Sequence, residues 1–203
     1  EIARQYGVTI VEDDAFGFLA PANRPIQTLA PDVTLYVCSL SKSIAAGLRV
    51  GYLVAPSHLV PRLEATIRAL NYSFPPLMSE IASRWIQSGQ ADAFAAIQRD
   101  EAHARQALAL EILPRLLIGG PPLGQHLWLN LPEPWRREDF VAEARERGVA
   151  VTGADAFTVG RASAPHAVRI GLCQPRSRDE VVRGLKALAA VLANPADGLR
   201  AIV

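Results

Sequence analysis

The 203-residue chain is 50% hydrophobic and 20% charged, which supplies a packed core and excludes a disordered polymer. Its 21 Lys+Arg against 20 Asp+Glu give a net charge of +1 with no basic block, so this chain alone offers no footprint for nucleic acid. Cys38 and Cys173 lie in apolar runs without CxxC spacing or histidine partners; they read as buried free thiols, which fits a reducing cytoplasm and not a metal site. The longest uncharged run, residues 116–132, is broken by glycines, prolines, His126 and Asn130 and cannot span a membrane.

The opening stretch, EIARQYGVTIVEDD, reads as the tail of a helix, a stop at Gly7 and a strand, with neither an initiating methionine nor a signal peptide, so the sequence is expected to begin inside a domain. Strands are expected at Val8 to Glu12, Thr34 to Cys38 and Val50 to Val54. The last two are nearly continuous apolar runs, the pattern of strands covered on both faces of a mainly parallel sheet. Helices follow from His58 to Leu70, from Leu77 to Ser88, and from Ala91 to about Leu113. The third carries Arg99, Asp100, Glu101 and Arg105, read most simply as a solvated face.

After the turn-forming cluster GGPPLG the periodicity restarts: strand Gln125 to Leu131, helix Arg137 to Arg147, strands Val149 to Thr152 and Ala167 to Leu172, and a helix from Arg178 to about Leu192. This is an α+β unit of its own. The expected division is 1–90, a linking helix at 91–118, and a small domain at 119–203.

The stretch SLSKSIAAGLRVGYLV, residues 39–54, sets one lysine among small hydroxyl residues. A phosphate-cradling GxxxxGK[ST] loop needs glycines ahead of Lys42, and residues 35–42 contain none. Ser39 to Lys42 matches the S-x-x-K of serine acyl-enzymes, but the S-D-N and K-T-G elements which that chemistry also uses are absent. A lysine that forms a Schiff base belongs at the end of a buried strand near a cation, and Lys42 closes a strand with Arg49 seven residues on.

The pattern Ser39-x-Ser41-Lys42-x4-Gly47-x-Arg49-x-Gly51, with VEDDAF one strand upstream, resembles the pyridoxal phosphate lysine motif and aspartate segment of class I aminotransferases, the fold-type I family. The resemblance implies an α/β fold: the latter part of the fold-type I large domain, with a mainly parallel sheet, followed by a small C-terminal α+β domain. It implies pyridoxal 5′-phosphate as cofactor, with Lys42 as the Schiff-base and proton-shuttling residue. Asp13 would pair with the pyridine nitrogen, and Ser39, Ser41 and Arg49 would hold the phosphate. Arg169, in AVRIGL, matches the family's arginine for a substrate carboxylate; on its own it reads equally as a structural salt-bridge partner.

Two departures stand out. Phe16 lies near where the family usually has a tyrosine whose hydroxyl bonds the cofactor, and a phenyl ring cannot donate that bond. The segments of the family's N-terminal half, including its phosphate-gripping helix and the aromatic that stacks on the ring, are absent from this sequence.

The phrases PPLMSEIASRWIQSGQAD, HLWLNLPEPW and ARERGVAVTGADAF narrow the resemblance to the aminotransferase-like domain of MocR-type regulators in the GntR family. In that family a winged helix, outside this sequence, binds DNA, and the domain is expected to sense the cofactor or a small amino compound and to form a homodimer, in the cytoplasm. Two alternatives stay open: a fragment of a class I aminotransferase acting on an amino acid, and a fragment that only packs and dimerises. Trp85, Trp128 and Trp135 have an ordinary reading as core residues.

Overall fold

The computed structural model describes residues 1–73, 75–120, 123–161 and 163–194. Pro121 and Pro122 of the GGPPLG cluster lie outside them. The chain divides into two compact units, Glu1–Arg99 and the residues from Asp100 onward.

The first unit opens with a short helix α1, Ile2–Gln5, which ends where Gly7 takes φ +62°. Strands β1 (Ile10–Asp13), β2 (Thr34–Ser39) and β3 (Gly51–Val54) form a sheet in the order β1-β2-β3. The β1–β2 ladder is parallel and the β2–β3 ladder antiparallel, so the expected mainly parallel pattern holds here for one ladder of two. β1 starts at Ile10, later than the expected Val8, because Ile10 is the first residue opposed to β2, at Thr34. A single helical turn α2 (Leu40–Ser43) joins β2 to β3, and helices α3 (Val60–Asn71) and α4 (Pro76–Gln87) follow.

The expectation of strands covered on both faces fails for β3, all four residues of which are exposed. Its apolar character matches a buried strand, but β3 is an edge with one neighbour, and Tyr52, Leu53 and Val54 stay 38%, 37% and 45% exposed. On β1, Val11 is 66% exposed.

The second unit holds the hydrophobic core. Helix α5 (Gln90–Ile112) leads into β4 (Ile118–Gly119), β5 (His126–Asn130), α6 (Arg137–Glu146), β6 (Thr152–Gly153), β7 (Ala167–Gly171) and α7 (Arg178–Ala193). The sheet order is β4-β5-β7-β6 and every ladder is antiparallel. Leu127 and Leu129 alternate inward on β5 and pair across with Ile170 and Val168 of β7. Against them pack Phe140 and Ala144 of α6 and Val181, Leu185, Leu188 and Val191 of α7, at the helical spacing that puts them on one face. Ser177 caps α7, its Oγ accepting the Glu180 N–H at 3.2 Å.

Of the strand expected at Val149 to Thr152, only Thr152 and Gly153 pair with β7. Val149 and Val151 pack against the core instead, and the Val149 N–H bonds the Ala144 carbonyl at 2.8 Å.

Of the charged stripe on α5, Asp100 is exposed as expected, while Arg99, Glu101 and Arg105 are turned to structural use. Arg105 is buried; it donates to the carbonyls of Leu172 (2.8 Å) and Pro175 (2.9 Å) and to Glu101 (2.6 Å). Glu101 also accepts from Arg178 at 2.7 Å. Arg99 donates to the Phe18 carbonyl at 2.9 Å within the first unit. Both cysteines are free but half-buried, and burial raises each thiol above its ordinary value.

Two outcomes follow. Leu129→Ala lowers stability in urea unfolding by about 3 kcal/mol, while Leu53→Ala on β3 changes it by less than about 0.5 kcal/mol. Equal losses would contradict this distribution of the core. The hydrogen bonds from Arg178, and secondly Arg105, hold the Glu101 carboxyl below its ordinary 4.5. Its contribution is therefore present above the unfolded value and lost as pH falls through the lowered folded value. Glu101→Gln should flatten the fall in stability between pH ~6 and ~3, measured by urea unfolding at each pH.

Candidate functional site

Three acidic residues end β1, and the fold gives each a different task. Glu12 caps the turn at Ile26–Thr28, its two carboxylate oxygens accepting the N–H groups of Ile26 (2.8 Å) and Gln27 (2.9 Å). Asp14 accepts the Tyr36 hydroxyl at 2.7 Å. Burial first, and this bond second, push the Tyr36 phenol far above its usual range. Asp13 is left over: among the described residues its Oδ1 accepts only the Ala15 N–H at 3.1 Å, an Asx turn, and the side chain is exposed at the carboxyl end of a parallel pair. Ligands of open α/β sheets bind at that end of the strands.

β2 ends at Ser39, whose Oγ accepts the Ser41 N–H at 3.2 Å and caps α2. In the β2–β3 ladder Ser39 pairs with Gly51, and the Leu40 N–H bonds the Val50 carbonyl at 3.1 Å. Gly51 lies so close to β2 that an added Cβ would stand 3.0 Å from the Cys38 carbonyl. The loop between Ser39 and Gly51 is thus closed at its base, and buried Ser43 and Leu48 pin it from below. It carries Lys42 and Arg49 outward.

The Lys42 Nζ lies 5.9 Å from the centroid of the Phe16 ring, within the range of a cation–π contact. Phe16 is on the turn after β1, held by the Asp14–Tyr36 bond. Gly17 follows because a Cβ there would collide with the Asp14 carboxylate. Arg49 adopts the left-handed conformation, φ +54° and ψ +30°. Among the described residues, neither the Ser41 hydroxyl nor the Arg49 guanidinium has a hydrogen bond or ion pair.

The first unit therefore collects Asp13, Phe16, Ser39, Ser41, Lys42 and Arg49 at the ends of two neighbouring strands and the turns that follow them. Arg169 belongs to the second unit. It sits on β7 between Trp128 of β5 and Thr152 of β6, with its guanidinium carbon 4.6 Å from the Phe157 centroid. Among the described residues, no group of His, Cys, Asp and Glu could hold a metal ion, and no helix is long and apolar enough to cross a membrane.

Three features escaped the reading of the sequence: the Asp14–Tyr36 bond, the collision that dictates Gly17, and Phe157. The doubled aspartate beside Phe-Gly was a usable signal for the first two. A fourth lay in composition, for the chain has only two lysines, Lys42 and Lys186, among its 21 basic residues.

Residues 1–185 match the family model for aminotransferase class I and II. The chain belongs to that family. The uncharacterized HTH-type transcriptional regulator YdeF of Bacillus subtilis (strain 168) is 29% identical over 193 residues, 95% of this chain and 42% of that protein. Aromatic-amino-acid aminotransferase 1 of Thermococcus litoralis is 25% identical over 170 residues, 79% of this chain and 41% of that protein. The fold superposes with a TM-score of 0.83 on LysN, the alpha-aminoadipate aminotransferase of Thermus thermophilus, at 22% identity. That structure, solved with N-(5'-phosphopyridoxyl)-L-leucine, is covered to 53% by 100% of this chain. The chain thus spans about half the length of its relatives, which include both HTH-type regulators and aminotransferases. Pyridoxal 5′-phosphate is the cofactor that membership of the aminotransferase family implies.

The residues present suit that group. A carboxylate, two hydroxyls, a guanidinium without a partner among the described residues and an amine are the set that a pyridine nitrogen, a phosphate and an aldehyde require.

Arg49 gives a test that needs no assay of function. An L-residue in the left-handed region costs about 1 kcal/mol, which a purely structural position would avoid by using glycine. Arg49→Gly should match or exceed the wild type in thermal unfolding while weakening the binding of pyridoxal phosphate at least tenfold in a titration. A loss of stability with binding intact would contradict the assignment.

Proposed function

We propose that this chain is the pyridoxal phosphate-binding, effector-sensing and dimerisation domain of a GntR/MocR-type transcriptional regulator, whose DNA-binding winged helix lies outside this sequence. The observation that carries the reading is the polar set raised on the Ser39–Gly51 loop beside the uncommitted Asp13 carboxylate. Similarity to an HTH-type regulator over 95% of the chain supports the regulatory context.

Bound, the cofactor supplies an electrophilic carbonyl carbon and an electron-withdrawing ring. The chain's own residues do the rest. Lys42 provides the amine for covalent attachment and the base that holds and returns a proton at Nζ. Asp13 accepts a hydrogen bond from the ring nitrogen and keeps it protonated. The hydroxyls of Ser39 and Ser41 donate to the phosphate, and the Arg49 guanidinium neutralises its charge.

Phe16 packs beside Lys42, and its ring has no hydroxyl to donate. In place of a tyrosine it leaves anchorage intact and slows amino transfer, which suits a sensor better than a catalyst. Arg169 would take the carboxylate of a small amino compound. Such a ligand shifts the regulator between states only by its difference in affinity for them. The open apolar faces of β1 and β3 support assembly into a homodimer.

The second reading, a fragment of a class I aminotransferase acting on an amino acid, is favoured by the similarity to the Thermococcus litoralis enzyme.

Full-length protein mixed with pyridoxal phosphate should develop an absorbance band that borohydride fixes and that Lys42→Ala abolishes. Its operator affinity, measured with and without the cofactor, should differ several-fold; equal affinities would sink the regulatory reading. Steady-state amino transfer should be slow in the wild type and rise about tenfold in Phe16→Tyr, the effect of restoring one hydrogen bond worth ~1.4 kcal/mol. Fast turnover by the wild type would favour the enzyme.

A further inference from the structure

We infer that Phe157 is a positioning residue for Arg169, holding its guanidinium by the ring face so that its N–H donors stay free for the carboxylate of an incoming ligand. The inference rests on the proposed role of Arg169 and adds the group that makes that role possible.

Arg169 is half-buried on β7, with Trp128 beside it on one neighbouring strand and Thr152 on the other. The inward residues of these strands, Leu129, Val168 and Ile170, face the core, so Arg169, Trp128 and Thr152 form a row across the opposite face. An arginine at this depth ordinarily finds a carboxylate or carbonyl partner. Among the described residues Arg169 has neither a hydrogen bond nor an ion pair. What it has is the Phe157 ring, 4.6 Å from its guanidinium carbon.

A contact with the π face uses none of the five N–H donors. It restrains the long side chain and lowers the entropic cost of presenting the planar fork, while the fork itself remains unspent. A planar carboxylate, which can accept two parallel N–H bonds, is the chemistry that such a fork receives.

The ring, 42% exposed, is held by one aromatic neighbour and by the turn that carries it. Trp128 meets it edge to face, with centroids 5.4 Å apart and planes at 82°. The turn Ala154–Phe157 that carries it is tied to α6 by the Arg137–Asp155 ion pair at 3.0 Å. The same turn is closed by the bond from the Thr158 N–H to the Asp155 carbonyl at 3.1 Å. At Gly153, just before the turn, the Asp155 carboxylate occupies the space that a Cβ would take. The stretch from Gly153 to Phe157 thus builds a platform for one cation.

The test uses full-length protein and propionate, a bare carboxylate, with propionamide as the neutral control. Binding is followed at the Nε–Hε resonance of Arg169, assigned through Arg169→Lys. Propionate should shift this resonance saturably in the wild type and propionamide should not. Phe157→Leu, which keeps apolar bulk but removes the ring, should weaken propionate binding about fivefold, or ~1 kcal/mol. Phe157→Tyr should restore it, a rescue that a general loss of packing would not produce. Equal affinities in wild type and Phe157→Leu, failure of Phe157→Tyr to restore binding, or no saturable shift in the wild type would each overturn the inference. Uptake of pyridoxal phosphate at Lys42, read by absorbance on the same samples, reports separately on the proposed cofactor role: its failure beside intact propionate binding would remove that role and leave the carboxylate site standing.

Discussion

The pairing of Ser39 with Gly51 is the constraint on which the candidate site depends. It turns a strand-to-strand connection into a loop closed at its base, so that Lys42 and Arg49 project from one scaffold and not from two independent segments. Glycine at position 51 lets β3 approach the Cys38 carbonyl without the tight 3.0 Å contact that a Cβ would make, and a short polar side chain at Ser39 can end the strand and cap the next turn at once. Within that loop Arg49 is the non-glycine residue at positive φ, and its charge has no partner among the described residues. Strain retained at a cation without a partner among the described residues fits the proposed contact with an anion.

The second unit works by the opposite logic. Its sheet presents one face to a dry core of leucine, valine and phenylalanine and the other to a sparse row of Trp128, Arg169 and Thr152. The core keeps β7 in register, the register sets Arg169 in its row, and the turn Ala154–Phe157 brings the Phe157 ring against it. Fold, packing and chemistry are linked through one strand.

Much of this was legible from the residues. Alternation on β5 and β7 and the helical spacing on α7 reveal both the elements and their inward faces. The family resemblance carried by Ser39, Ser41, Lys42 and Arg49 agrees with the match of residues 1–185. What could not be read were tertiary uses of ordinary residues. Arg105 and Glu101 look like a solvated stripe because a helical repeat does not reveal carbonyls contributed by Leu172 and Pro175. Tyr52 to Val54 look doubly covered because apolar content reports propensity for burial and not the presence of a cover. Val149 and Val151 look like strand because β-branched residues satisfy a core as readily as a ladder. Within the run Glu12-Asp13-Asp14 the resemblance points to Asp13, while the tasks of its neighbours, Glu12 on Ile26 and Gln27 and Asp14 on Tyr36, could not be read from three like carboxylates.

The central claim is that Lys42 anchors pyridoxal phosphate, and the near absence of lysine from this chain makes it directly testable. Full-length protein would be incubated with the cofactor, reduced with borohydride, digested and mapped by mass spectrometry. The account predicts that the phosphopyridoxyl mass falls on the peptide containing Lys42 and not on the one containing Lys186, which lies exposed on α7 and serves as the internal control. Equal labelling of both lysines, or an unmodified Lys42, would contradict it.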